Sequence, residues 1–182
     1  MTGTFVAVVG PSGVGKDSLI RFARDRLGDK ICFVRRVVTR SADGNAEDHD
    51  TLDPEGFLQA EARGEFALSW AAHGLRYGLP ATLEHELASG RVVVANLSRG
   101  VLPALLQRYP TAVVVSVVAD RPVIAERLLR RGRESPASVE RRLARRIECN
   151  TVPANAVVID NSGELSVAGA QFVTLLQELG GR

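Results

Sequence analysis

Mostly apolar, strand-like runs recur along the chain at Phe5–Val9, Phe33–Val38, Val92–Ala95, Ala112–Val118 and Ala156–Ile159. Between them lie stretches with apolar residues three and four apart. These stretches are Asp17–Leu27, Pro80–Ser89, Gly100–Arg108, Arg121–Arg131, Ser138–Cys149 and Glu164–Leu179. A period of 3.6 residues marks a helix with one buried face, whereas an unbroken β-branched run marks a strand covered on both faces. Strands of that kind alternating with helices predict an α/β protein of three layers, a parallel sheet between helices. Ligands of such sheets bind beyond the carboxyl ends of the strands.

Two regions break the alternation. Ser41–Pro54 is polar and rich in Asp and Gly, and it leads into a short helical pattern at Pro54–Ala62. Gly64–Gly78 then reads as short strands turning at Gly74. Together they predict an inserted acceptor-binding subdomain over residues 36–80, set into a core of residues 1–35 and 81–182. The second break is Arg130-Arg131-Gly132-Arg133-Glu134-Ser135-Pro136, an arginine loop between two helical patterns. It has the makeup of a lid over residues 130–137. No internal repeat or low-complexity tract occurs, so one domain is expected.

The first strand runs into Gly10-Pro11-Ser12-Gly13-Val14-Gly15-Lys16-Asp17-Ser18, which is followed at once by a helical pattern. In the spacing G-x-x-x-x-G-K-[ST] the backbone N–H groups of a glycine-rich loop surround phosphate oxygens, and the lysine reaches the outer phosphates. Gly10, Gly15 and Lys16 meet that spacing, and the preceding strand and following helix supply its context. An ordinary glycine-rich turn is the competing reading. The sequence therefore predicts a P-loop NTPase fold, with Gly10–Ser18 binding ATP. The final position departs: Asp17 stands where the Mg²⁺-binding hydroxyl belongs. Magnesium is a hard cation that accepts carboxylate oxygens, so Asp17 either ligates it directly or holds a metal-bound water. The alternative is that Asp17 only favours the positive end of the helix dipole. Ser18 is no simple substitute, being turned about a quarter of the way round the helix.

Charge adds one qualification. The net charge is +2, with 45% hydrophobic and 24% charged residues. That is too weakly basic for a general nucleic-acid binder. No run of eighteen apolar residues predicts a membrane span, and no basic segment and cleavage site precede the first strand, so a cytoplasmic protein is expected. Cys32 and Cys149 fit no metal or redox spacing and read as reduced, buried thiols. The arginines are more informative. Nine lie between Arg121 and Arg146, while Lys16 and Lys30 are the only lysines. A planar guanidinium fork suits phosphate, although an arginine-rich helix face is often merely solvated. Arg131, Arg133 and Arg142 flank the Gly132 turn. Closing over a nucleotide, they would stabilise a transferring phosphoryl group and exclude water.

Arg36, Thr39, Arg40 and His49 surround the start of the polar insert, and Arg36 and Arg40 would project at the sheet edge that faces the phosphate loop. With Arg76 and Tyr77 in the hairpin, they form candidates for holding a second, phosphate-bearing molecule. His73 is open to either a substrate contact or a structural role.

The whole chain resembles the guanylate kinase-like branch of P-loop nucleoside monophosphate kinases. The resemblance is carried by Gly10–Lys16, Val38-Thr39-Arg40, Gly64-Glu65-Phe66, Tyr77-Gly78, Arg127-Leu128 with Arg131-Gly132, Arg142-Leu143, and Val157–Asn161. It implies that Arg40 and Tyr77 bind the acceptor's phosphate, that Arg131 and Arg142 grip the triphosphate, and that Asn161 falls near the adenine of ATP. The departures concern the acceptor. Leu68 occupies the place of the guanine-reading glutamate, Asn96 and Ser98 stand where a pair of aspartates is found, and Asp43 replaces a second arginine. Losing a buried base-reading carboxylate costs guanine recognition on the order of 2–5 kcal/mol.

These departures resemble a sister family, the ribose 1,5-bisphosphate phosphokinases. The matching pieces are Gly15-Lys16-Asp17-Ser18-Leu19, Ala67-Leu68-Ser69-Trp70, His73-Gly74-Leu75 with Tyr77-Gly78, and Asn96 with Ser98-Arg99. The resemblance implies transfer of the γ-phosphoryl of ATP, with Mg²⁺, to the 1-phosphate of ribose 1,5-bisphosphate, giving 5-phosphoribosyl 1-diphosphate. In that family the reaction serves phosphonate degradation and feeds NAD synthesis. The small-molecule partners are then ATP and a phosphorylated ribose, with no nucleic acid and no membrane. The expected acceptor groups are Arg40 and Tyr77 on one phosphate, Arg36, His49 or Arg99 on the other, and Ser69 and Asn96 on ribose hydroxyls. The alternatives are a guanylate kinase, a kinase of another phosphorylated sugar, and a non-catalytic binding module of the same fold.

Overall fold

The computed structural model of the chain describes residues 3–39, 49–72, 74–130 and 152–181. Strands β1 (Phe5–Val9), β2 (Cys32–Phe33), β7 (Val93–Asn96), β8 (Val113–Val118) and β9 (Val157–Asp160) form a five-stranded sheet in the order β2-β7-β1-β8-β9. Every pairing in it is parallel. Helices α1 (Lys16–Leu27), α5 (Arg121–Arg130) and α6 (Leu165–Gly180) cover one face; α3 (Leu83–Ala88) and α4 (Leu102–Arg108) cover the other.

The alternation along β1 shows why both faces must be covered. Val6 and Val8 join Leu19 and Ala23 of α1, Ile124 of α5 and Phe172 of α6 in one core. Phe5, Ala7 and Val9 join Leu83 of α3 and Leu102 and Leu105 of α4 in the other. All five β1 residues are buried. With the strands parallel, Val9, Phe33, Asn96, Val118 and Asp160 end at one edge of the sheet, and the chain emerges there five times to build whatever lies beyond it.

A second sheet, β4-β3-β6-β5, comprises β3 (Arg36–Val38), β4 (His49–Thr51), β5 (Phe66–Ala72) and β6 (Leu75–Pro80). Helix α2 (Pro54–Ala62) lies between β4 and β5; Asp53 caps it by accepting from the Gly56 N–H at 2.6 Å, with Pro54 at its first turn. The hairpin turns at Gly74, as its sequence suggested, with φ at +75°. The single strand expected over Phe33–Val38 is instead two. Cys32 and Val34 donate to Val92 and Val94 beside the parallel sheet, after which Val37 and Val38 pair with Gly78 and Tyr77 in the second one. Arg35 and Arg36 interrupt the apolar run, and the backbone changes partners at that point. Cys32, expected to be buried, is only partly so on the edge strand β2; Cys149 lies outside the described residues, as does the helix expected over Ser138–Cys149.

Gly78 is fixed by packing rather than by backbone conformation. A Cβ there would come within 2.6 Å of the Phe66 ring, which stacks on Phe57 with centroids 4.6 Å apart. The glycine of the Tyr-Gly pair thus makes room for the ring that anchors α2 to the second sheet. Gly78→Ala is expected to lower the unfolding free energy by about 1–3 kcal/mol through overpacking, read as a lower urea midpoint at unchanged m-value.

Candidate functional site

The turn from β1 to α1 is built on left-handed glycines. Gly13 and Gly15 have φ of +84° and +94°, a region that a side chain disfavours. Gly15 is also the N-cap residue of α1 and has no side chain to cap it. The first N–H groups of the helix, which have no intrahelical acceptor, are therefore left to face the loop. That is an anion cradle with the positive end of the helix dipole behind it. Lys16 Nζ donates to the carbonyls of Gly10 at 2.8 Å and Pro11 at 3.1 Å, which places the ammonium across the mouth of the loop. Ser12 is exposed at the loop's tip, while Pro11 and Val14 are buried beneath it.

Two side chains from distant parts of the chain brace this turn. Asn161, directly after β9, donates from Nδ2 to the Val14 carbonyl at 2.8 Å, and Arg127 of α5 donates to the same oxygen at 3.3 Å. Asn161 is 2% exposed and packs so closely over Gly15 that a Cβ there would collide with its amide. The residue that the family resemblance sets near adenine thus sits under the loop.

Asp17 and Asn96 form the second part of the site. Asn96 ends β7 in register with Val8 of β1, and its Nδ2 donates to Asp17 Oδ1 at 2.5 Å. The Asn96 amide is buried, and its Oδ1 has no hydrogen-bond partner among the described residues. Asp17 is thereby held at the start of α1 beside Lys16. Ser18 is half-buried within the same first turn.

An open cleft begins at this pair and runs along α1. Asp17, Arg21 and Arg24 line it from the helix, Asn96 from β7 and Arg36 from β3. Arg21 and Arg24 were not among the candidates. Their spacing from Asp17, four and seven residues, is the signal that could have found them, because it puts all three on one face. On the second sheet Trp70 and Tyr77 are directly paired and stacked at 5.3 Å, and the Arg36 guanidinium lies 5.7 Å from the Tyr77 centroid.

The remaining candidates are placed as follows. His49 is the registered partner of Arg36 across the β3–β4 ladder. Ser69 donates to Glu61 Oε1 at 2.5 Å, and Arg76 donates to the other oxygen of Glu61 at 3.4 Å. Glu61, a carboxylate of α2, was not among the candidates. Arg99 begins the short 3-10 turn Arg99–Val101 after β7 and does not line the cleft. Thr39 anchors the β3 end by accepting from the Arg76 N–H at 2.9 Å. Arg40, His73, Arg131, Arg133 and Arg142 lie outside the described residues.

The comparisons give this geometry its context. No family model matches the chain. It is 51% identical over 179 residues to the ribose 1,5-bisphosphate phosphokinase PhnN of Chelativorans sp., covering 97% of this chain and 86% of that one. Its identity to the protein of the same name in Brucella melitensis biotype 2 is 48%, over 97% and 93% of the two chains. The chain belongs to the ribose 1,5-bisphosphate phosphokinase family. Among solved structures, a guanylate kinase from Anaplasma phagocytophilum superposes with a TM-score of 0.70 over 100% of this chain and 88% of that one. At 16% identity that likeness concerns the fold: a P-loop α/β kinase fold. Among the described residues, no helix is long and apolar enough to cross a membrane.

The brace under the loop yields a stability test. Asn161→Ala removes a buried donor from the Val14 carbonyl and is expected to cost about 1–3 kcal/mol of unfolding free energy. Asn161→Asp, which turns an acceptor toward that carbonyl, is expected to cost more. Urea titration of both variants beside the parent checks the order.

Proposed function

We propose that this chain transfers the γ-phosphoryl group of ATP to the 1-phosphate of ribose 1,5-bisphosphate, giving ADP and 5-phosphoribosyl 1-diphosphate. The observation that carries this reading is near full-length identity of 51% and 48% to proteins named for that substrate. It is supported by an intact phosphate loop opening onto a cleft with three arginines.

On this reading the backbone of Gly10, Pro11, Ser12, Gly13, Val14 and Gly15 cradles the phosphates of ATP, with Ser18 in the first turn of α1. Lys16 moves its ammonium from the loop carbonyls to the outer phosphates. Asn161 and Arg127 keep the cradle in shape by holding the Val14 carbonyl. Tyr77, Arg36, His49, Asn96, Ser69 and Arg99 are assigned to the acceptor together with Arg40, and Arg131, Arg133 and Arg142 to the closing lid.

The donor set fits a magnesium ion. Among the described residues no group of three or more His, Cys, Asp or Glu could hold a metal by itself. Magnesium, however, is commonly bound through one or two carboxylates, several waters and the substrate's phosphates. Asp17 offers that carboxylate: one oxygen is fixed by Asn96 and the other is left for the ion or its water. When bound, the ion neutralises charge on the phosphates and orients them.

The acceptor nucleophile is an oxygen of the 1-phosphate, already anionic near neutral pH, so no general base is needed. That oxygen forms a bond to the γ-phosphorus as the bond to the β–γ bridging oxygen breaks, and ADP leaves with the electron pair. Catalysis then consists of in-line positioning and of cations placed where charge develops. Leu68 suits the same acceptor: it packs with Trp70 against the core beneath the second sheet and offers no carboxylate to a guanine.

ATP consumption measured side by side with ribose 1,5-bisphosphate, GMP and no acceptor tests the reading. Turnover is expected with the bisphosphate. Turnover with GMP alone would make the chain a guanylate kinase, and none with any acceptor would make it a binding module. Lys16→Met is expected to lower kcat by about 10²–10³-fold. For Asp17→Ala the Mg²⁺ concentration for half-maximal rate is expected to rise by about ten- to hundred-fold. An unchanged value would leave Asp17 a purely electrostatic role at the helix start.

A further inference from the structure

Arg21 and Arg24 lie further along α1 than any part of the phosphate-transfer machinery. A rise of 1.5 Å per residue puts them about 6 Å and 10 Å beyond Asp17 along the helix axis, on the wall of the same cleft. Arg36 enters the cleft from β3. Three guanidinium groups and one carboxylate, that of Asp17, are the charged groups that line the cleft among the described residues. Its floor of Ile20, Val34 and Val94 is aliphatic, which weakens dielectric screening of any anion held there.

Two of the three guanidiniums are steered by rings. Arg24 lies 5.6 Å from the Phe33 centroid and Arg36 lies 5.7 Å from that of Tyr77. A planar cation held against an aromatic face is pre-oriented and loses less freedom when it binds. Arg21 is exposed and pairs with no carboxylate among the described residues. The set converges from one helix and one strand of the second sheet on a cleft that Asp17 also lines and that none of the loop residues Gly10–Gly15 lines.

We propose that Arg21 and Arg24, with Arg36, hold the phosphate of the acceptor that does not react, the one on C5 of ribose. The proposal rests on the ribose bisphosphate reading given above. The reacting phosphate must lie at the mouth of the loop, within reach of Lys16. Arginines one and two turns further along α1 are too remote for it, and stand about a sugar's length away. Holding the far phosphate positions the near one for in-line attack. Binding energy from a group that takes no part in the chemistry is thereby spent on orientation. The aliphatic floor between the two phosphate sites meets the C–H face of the sugar.

The test compares the parent with Arg21→Gln, Arg24→Gln and Arg21→Lys. Two quantities are read for each: kcat/KM for ribose 1,5-bisphosphate, and the calorimetric affinity for ribose 5-phosphate, which carries only the anchoring phosphate. Each Gln variant is expected to lose about ten- to hundred-fold in both, corresponding to one charge-assisted hydrogen-bonding group. ATP affinity and thermal midpoint are expected to stay unchanged, and Arg21→Lys to recover part of the loss. Gln variants that match the parent in both quantities, or a parent that does not bind ribose 5-phosphate, would overturn the anchor while leaving the kinase activity standing. A parent that binds ribose 5-phosphate through these arginines but never turns over the bisphosphate would instead overturn the functional reading and keep the phosphate site.

Discussion

Gly13 and Gly15, both left-handed, turn the chain out of the fully buried strand β1 and into α1 without a side chain in the way. The Val14 carbonyl between them is held from below by Asn161 and Arg127. This junction constrains much of the molecule. It requires a central strand that cannot shift, which the cores on the two faces of the sheet provide. It also requires β9 and α5 to end close to the loop, and their packing on the sheet brings them there. Leaving the first N–H groups of α1 uncapped is the cost of making an anion site. A helix buried along Leu19, Ala23 and Leu27 bears that cost because tertiary packing, rather than capping, stabilises it.

The second sheet solves a different problem. A donor site at the edge of a parallel sheet needs an opposing wall, and no strand of the parallel sheet can face its own edge. The chain leaves that sheet after Val34, and Arg36 enters the other sheet two residues later. β2 and β3 therefore carry one wall of the cleft across the gap between sheets. Arg36 lines the cleft and lies against Tyr77, which stacks on Trp70, and Gly78 beside Tyr77 makes room for the Phe66 ring that stacks on Phe57. On the proposed function this side receives the acceptor, and its pairing of cation and ring suits a phosphate and a sugar rather than the hydrogen-bonding edge of a purine.

The parallel core was legible because burial on both faces leaves an unbroken apolar run, and the phosphate loop because its glycines and lysine stand in a fixed spacing. Helix α2 was found at its full extent, Pro54–Ala62, since Asp53 and Pro54 mark its start. What escaped had no periodic signature. The change of sheet inside Phe33–Val38 depends on backbone partners supplied by Val92, Val94, Gly78 and Tyr77, which hydrophobicity does not encode. Strand β4, His49–Thr51, is short and polar because it is an edge, partly exposed and paired on one side. Arg21 and Arg24 drew no assignment because nothing in α1 alone says that β3 brings a third arginine to the same cleft. The bond between Asn96 and Asp17 joins residues far apart in sequence, and only the register of β7 against β1 puts them together.

The proposed reaction makes one specific bond, a phosphoanhydride between the C1 phosphate of ribose and the γ-phosphoryl of ATP. Phosphorus-31 NMR of the reaction with ATP, Mg²⁺ and ribose 1,5-bisphosphate reads that bond directly. The C1 phosphate monoester signal is expected to be replaced by two coupled diphosphate signals as ADP accumulates, with the C5 monoester signal retained. Accumulation of ADP and inorganic phosphate with both monoester signals intact would contradict it.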